Sequence, residues 1–314
     1  MICLLAGGVG AARLLTGLVR VVDPAEITVV ANVGDDVELH GLHISPDLDT
    51  ITYTLADQVD PDRGWGLRDE SWQAMEMVGR YGGIDWFNLG DRDLGTHLYR
   101  TQRLSEGAPL SEVTGEITRA WDLGFRLLPV TDDPLRTRVT VVDPDGEREV
   151  GFQEWFVQRR HDVPVTAIRM VGADTARPAP GVVDALAEAD AILLAPSNPL
   201  VSIAPLLAVP GVAEAVRVGR GRTVAVSPLV AGEALKGPAD RLMVDLGHDA
   251  SVAGVARLYR DLATTLVIDE ADAAHGPAVE AEGMAPVVTD TIMRTPDVAA
   301  ALARTMLACA GVEA

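Results

Sequence analysis

Residues Ile2–Arg13 read ICLLAGGVGAAR: an apolar run of strand length, then glycines at 7, 8 and 10, then helical apolar spacing over Ala11–Val21. A strand that runs through glycines straight into a helix is the opening unit of a layered α/β fold. Gly7, Gly8 and Gly10 let the backbone turn tightly and let an anion approach amide N–H groups at the positive end of the helix. A dinucleotide fingerprint needs a third glycine where Arg13 stands, and a Walker A loop needs a Gly-Lys-Ser/Thr that is absent. The segment predicts a diphosphate site without naming the nucleotide, and a tight turn with no ligand is the competing reading.

Further apolar runs predict strands at Ile27–Asn32, Trp86–Leu89, Val165–Met170, Ala191–Ala195, Thr223–Ser227, Thr265–Ile268 and Pro286–Val288. Helical patterns fall between most of them, including Thr50–Gln58, Glu70–Arg80, Leu94–Leu104, Leu110–Leu123 and Val298–Ala308. Strands alternating with helices predict a Rossmann-like three-layer α/β/α fold around a parallel sheet, one nucleotide-binding domain over 1–314. Residues 40–160 depart from the alternation. They are helix-rich, hold all five tryptophans and carry a hairpin, Thr137–Val142 with Glu147–Val150, around Pro144-Asp145-Gly146. This span is expected as an insertion capping the ligand crevice.

A net charge of −20 argues against nucleic acid as a partner, because a phosphate backbone needs a basic surface. No apolar run approaches the roughly 20 residues of a membrane span, and the N-terminus has no basic region before its apolar run, so neither a membrane nor a secretory leader is expected. Cys3 and Cys309 lie in apolar segments and give no disulfide framework, which makes the reducing cytoplasm the expected compartment.

An acidic chain that binds a diphosphate needs amides, placed cations or a divalent metal. Four acidic clusters follow strands or open loops: Asn32-Val-Gly-Asp35-Asp36, Pro46-Asp47-Leu-Asp49-Thr50, Leu89-Gly-Asp91-Arg92-Asp93 and Thr131-Asp132-Asp133. Loops at the carboxyl edge of an α/β sheet converge in space, and paired carboxylates there suit Mg²⁺. Each pair alone is equally readable as turn or cap chemistry. Pro196-Ser197-Asn198-Pro199 forms a second phosphate-type loop, and Gly232–Pro238 a third that carries the only lysine, Lys236. Trp65, flanked by Gly64 and Gly66, suits stacking on a flat heteroaromatic ring. His40 and His43 read as surface or core histidines. His97 follows Asp93 by one helical turn and can orient that carboxylate.

Taken in series, Ala6-Gly-Gly-Val-Gly10, Asn32–Asp36, Ser45–Thr50, Leu89–Leu94 with Thr96-His97, Thr131–Asp133 and Pro196–Pro199 with Ser202-Ile203 resemble the 2-phospho-L-lactate transferase family of coenzyme F420 biosynthesis. The likeness covers nearly the whole chain and is weakest after about residue 270. Ala11-Ala12-Arg13 stands where many relatives have glycine and lysine.

The resemblance implies a Mg²⁺-dependent transferase of substituted phosphate groups. It would move a phosphoenolpyruvyl or 2-phospho-L-lactyl group from a guanosine diphosphate-linked donor to the terminal ribityl hydroxyl of the deazaflavin Fo, releasing GMP. It implies Asp35, Asp36 and Asp49 as metal residues, Asp35 and Asp49 as catalytic, and Asp49, Arg92 and Trp65 at the acceptor under the cap. Gly7, Gly8, Gly10, Ser197 and Asn198 would hold the donor diphosphate. The partners implied are these small molecules, with a homodimer left open.

Two other readings share some of these elements. A non-catalytic nucleotide-sugar-binding regulator has the same fold and the Gly-Gly-x-Gly and Asn-x-x-Asp-Asp elements; Leu89–His97 and Thr131–Asp133 speak for the transferase. A nicotinamide-dependent dehydrogenase is disfavoured by Arg13 and by the lack of an acidic residue closing the second strand.

Overall fold

The structure is a computed structural model describing residues 1–313. Seven short strands form one parallel sheet: β1 (Ile2–Ala6), β2 (Ile27–Ala31), β3 (Arg126–Pro129), β4 (Ala191–Leu194), β5 (Thr223–Val226), β6 (Thr265–Ile268) and β7 (Ala285–Val288). Across the sheet they run 3-2-1-4-5-6-7. Every residue of β1, β2, β4, β5 and β6 is buried, as a sheet covered by helices on both faces demands. The order reverses between β1 and β4, which pair from Ile2 with Ala191 to Leu5 with Leu194. That switch point is where open α/β sheets bind ligands, beyond the carboxyl ends of the strands.

Helix α1 (Gly8–Leu18) leaves β1 directly and packs on the C-terminal helix Pro296–Cys309. Gly17 permits this approach: a Cβ there would come within 2.4 Å of the Ala299 carbonyl oxygen.

Between β2 and β3 lie a short hairpin (Val37–Leu39 with Leu42–Ile44) and helices α2 (Pro46–Leu55), α3 (Gln73–Arg80), α4 (Asp93–Ser105) and α5 (Leu110–Ala120). Between β3 and β4 the chain forms an antiparallel sheet, Gly146–Gly151, Arg136–Asp143 and Val165–Val171 in that order. Its core gathers Trp155, Phe152, Val139 and Val141.

The expected hairpin therefore forms, but Val165–Val171 joins it and not the parallel sheet. Residues 40–160 are not one insertion, because β3 within them is the sheet's edge strand. Trp86–Leu89 forms no strand; it is irregular chain whose last residue, Leu89, is buried in a small cluster with Leu39, Ile44 and Met75. Among the described residues no single helix is long and apolar enough to cross a membrane. The bent pair Pro199–Ala208 and Val212–Val218 passes by length and composition only.

Candidate active site

A cavity of about 640 Å³ opens at the switch point. Its lining includes the β1–α1 loop, the loop after β4 and the aromatic side chains of Trp65, Phe87, Phe152 and Phe156. The loops are tied together: Ser197 Oγ donates to the Gly7 carbonyl (2.7 Å) and accepts from the Gly7 amide (3.2 Å). Gly10 sits against the Pro196 carbonyl, where a Cβ would come within 2.6 Å. Gly8 adopts φ +70°, in the left-handed region. Its amide donates to Asp47 Oδ1 at 2.8 Å. Two of the predicted glycines are thus engaged with protein. By helix geometry the amides of Val9 and Gly10 lack intrahelical acceptors, and both residues line the cavity. Asn198 caps the next turn by accepting from the Leu200 amide.

Asp35, Asp47, Asp49 and Asp93 line the same cavity. Asn32, fully buried, orders the turn after β2: its Oδ1 accepts from the Gly34 amide at 2.8 Å and its Nδ2 donates to Asp47 Oδ2 at 3.0 Å. The turn presents Asp35 and Asp36, both buried, each with an Oδ1 that meets no hydrogen-bond donor. Asp36 Oδ2 accepts from Ser45 Oγ (2.8 Å) and pairs with His43 Nε2 (2.9 Å). His43 is therefore a partner of the acidic cluster.

Burial and the neighbouring Asp47 push the Asp35 carboxyl well above the usual range. Burial likewise lifts Asp47 to about 7, against the hydrogen bonds from Asn32 and Gly8. Oxygen-only donors with unused, water-shielded lone pairs fit a hard divalent cation.

Asp49, two residues beyond Asp47 in the first turn of α2, belongs to a second network. Its carboxylate is clamped by both terminal nitrogens of Arg100, a buried residue. Burial raises the Asp49 pKa while Arg100 and His97 oppose the rise. His97 stands 3.7 Å from Asp49 and 3.2 Å from Asp93, and the Tyr53 hydroxyl donates to Asp93. Despite its burial, Asp93 is held below the usual range by His97, Tyr53 and Arg100. Asp49, Asp93 and His97 offer ligand atoms within 4.8 Å of one another, so they too can hold a metal.

Asp35, Asp49, Trp65, the three glycines, Ser197 and Asn198 all line the one cavity. Arg92 is the correction. It is exposed, and its guanidinium donates to the Arg68 carbonyl at 2.7 Å. Position 92 precedes α4, whose buried face presents Asp93, His97 and Arg100. In two of the predicted acidic clusters one aspartate serves the fold. Asp91 accepts from the Gln73 and Ala74 amides at the start of α3, and Asp132 from the Ser111 amide at the start of α5. Asp47 and Arg100 were absent from the expected set. The 93, 97, 100 spacing of polar residues on one face of α4 is the signal that pointed to Arg100.

Several known proteins resemble this chain. It is 46% identical over 309 residues to a phosphoenolpyruvate transferase of Kitasatospora aureofaciens, covering 98% of this chain and 96% of that one. It is 43% identical to one of Mycolicibacterium smegmatis, covering 99% of each. Among solved structures, protein BH3568 of Bacillus halodurans shares the fold at TM-score 0.63 and 17% identity, over 98% of both chains. The sequence profile described as 2-phospho-L-lactate transferase CofD matches residues 2–306. That span takes in the β1–α1 loop, the loop after β4, the buried carboxylates and the aromatic lining of the cavity, and the chain belongs to the 2-phospho-L-lactate transferase CofD family.

Proposed function

We propose that this protein transfers a phosphoenolpyruvyl group from a guanosine diphosphate-linked donor to the terminal ribityl hydroxyl of the deazaflavin Fo, releasing GMP. One observation carries the reading: a single chamber is lined by two phosphate-type loops, by aromatic side chains and by buried carboxylates. The family membership supports the transferase class, and the enolpyruvyl group is taken from the names of the actinobacterial relatives.

In this reading the Val9 and Gly10 amides meet the donor diphosphate, with Gly7, Gly8, Ser197 and Asn198 fixing the loops around it. Asp35 and Asp36, with Asp47 beside them, would hold Mg²⁺, and Asp49 would border the same site. The cation would supply charge neutralisation at the diphosphate and a template for the transfer. Asp49, oriented by Arg100, receives the acceptor's hydroxyl. Phosphoryl transfer needs positioning and electrostatics more than covalent chemistry by the protein.

The direct test incubates purified protein with Fo, Mg²⁺ and each guanylylated donor in turn, following products by mass spectrometry. Enolpyruvyl product with GMP is the expected result. Product from the lactyl donor alone would reverse the donor assignment, and nucleotide binding without turnover of either donor would favour the regulator.

Trp65 is 42% exposed, stands edge-on to Trp72 at 6.2 Å, and has the Arg63 guanidinium 5.5 Å from its ring centre. Trp65→Ala is expected to raise the KM for the deazaflavin several-fold, the size of a lost stacking contact of about 0.5–1.5 kcal/mol. The donor KM should stay unchanged. Fluorescence titration with deazaflavin checks this, and unaltered affinity would make Trp65 a packing residue.

A further inference from the structure

Lys236, the chain's single lysine, stands at an unusual point. It lies in the turn between Glu233–Ala234 and the helix Ala239–Asp245. A second cavity, of about 100 Å³, runs from the α1 start past Ser227 to the Thr291–Met293 segment. This cavity and the large chamber share Val9, Gly10, Pro196, Asn198 and Lys236 as wall residues, so Lys236 occupies the neck between them. Its Nζ reaches towards the acceptor side, where a Cβ on Gly64 would come within 2.7 Å of it. Arg13 lines the small cavity too.

The charges that act on Lys236 are also unusual. Partial burial and the positive charge of Arg13, which lines the small cavity with it, lower its pKa, and among the described residues no carboxylate pairs with it, in a chain of net charge −20. Two cations brought together without an anion make a place for one.

We propose that Lys236 and Arg13 grip the nucleoside-bearing phosphate of the donor, and that Lys236 neutralises the charge gathering there as GMP departs. This rests on the donor reading above. In the step concerned, the acceptor's hydroxyl oxygen bonds to the phosphorus that carries the enolpyruvyl group. The bond from that phosphorus to the bridging oxygen breaks, its electron pair leaves on the phosphate of GMP, and the hydroxyl proton passes to Asp49. Charge therefore grows on the phosphate of the departing GMP, at the neck that Lys236 lines and next to the small cavity that Arg13 lines. A lysine suits this post because its compact, freely rotating ammonium can follow a moving oxygen, whereas a guanidinium holds a fixed fork.

The test compares Lys236→Met, Lys236→Arg and Arg13→Gln with the wild type. It uses calorimetric titration with GDP, GMP and deazaflavin separately, and steady-state turnover. Lys236 lies on an exposed turn, and thermal melts would verify that each variant folds. Lys236→Met is expected to weaken GDP and GMP about tenfold or more and to lower kcat about 10²-fold, the scale of a lost charge-stabilising donor. Deazaflavin affinity should hold. Lys236→Arg should recover nucleotide affinity more than kcat, and Arg13→Gln should weaken GDP with a smaller effect on kcat. Unchanged GDP affinity and kcat in Lys236→Met, beside a wild type that binds GDP, overturn the assignment. So do equal losses for GDP and deazaflavin. A wild type that binds no GDP overturns the donor reading itself.

Discussion

Asp35→Asn is expected to cost at least about 10²-fold in turnover, and yet to make the cation-free protein more stable at pH 8. The two effects share one cause. Asp35 is buried beside Asp47, and both carboxyls have folded-state pKa values above their unfolded ones. Such a group contributes stability that is complete below the unfolded value and is lost as pH rises through the folded one. For Asp47 that window runs from the ordinary aspartate value of 3.8 to about 7. An amide at position 35 never ionises, so it escapes the loss and relieves Asp47 as well. Thermal melts at pH 5 and pH 8, with and without Mg²⁺, check this. The wild type should gain most from Mg²⁺ at pH 8, where the carboxylates are charged. A variant less stable than the wild type at both pH values would show that Asp35 serves the fold by hydrogen bonding.

The second large effect is structural. Arg100→Met should destabilise the protein by about 3–5 kcal/mol, the usual cost of removing one partner from a buried ion pair. Asp49 would then be a buried carboxylate without its counter-charge, beside Asp93. Chemical denaturation measures the loss. Adding Asp49→Asn to Arg100→Met should recover part of it, since the uncompensated charge goes. If the double variant is no more stable than Arg100→Met, the cost lies in lost packing of the arginine stem and not in the pair.

Much of the architecture was legible because it follows from chain-local patterns. β1, β2, β4, β5 and β6 are fully buried apolar runs, and the glycines between β1 and α1 announce a sharp turn. β3 was missed: Arg126–Pro129 opens on a charged, exposed residue and ends in proline, so only two residues of it read as an apolar run. Val165–Val171 was visible as a strand, but its sheet was not, since partner choice depends on contacts far along the chain. The carboxylates show the same division. Asp35, Asp36 and Asp49 announce themselves in pairs, and so do Asp91 and Asp132, which cap helices. Composition cannot separate an aspartate that holds a helix end from one left without a donor in a cavity; only burial and the count of donors around it do so. Arg92 and Arg100 sit eight positions apart, and the helix face decides which one is turned inwards.

The pairing of β1 with β4 has a consequence for how the chamber comes into being. The second strand of the protein's central pair is made some 185 residues after the first, and the Gly7–Ser197 clasp spans 190. A chain cut before Pro196 would contain every carboxylate of the site and both Trp65 and Arg100. It would still lack the clasp, the Pro196 seat for Gly10, and the helix that covers α1 at Gly17. Closing so long a loop is slow and leaves apolar strands uncovered meanwhile. A nascent or proteolysed fragment of this kind is therefore expected to be inactive and prone to self-association, so that function arrives late in synthesis and all at once.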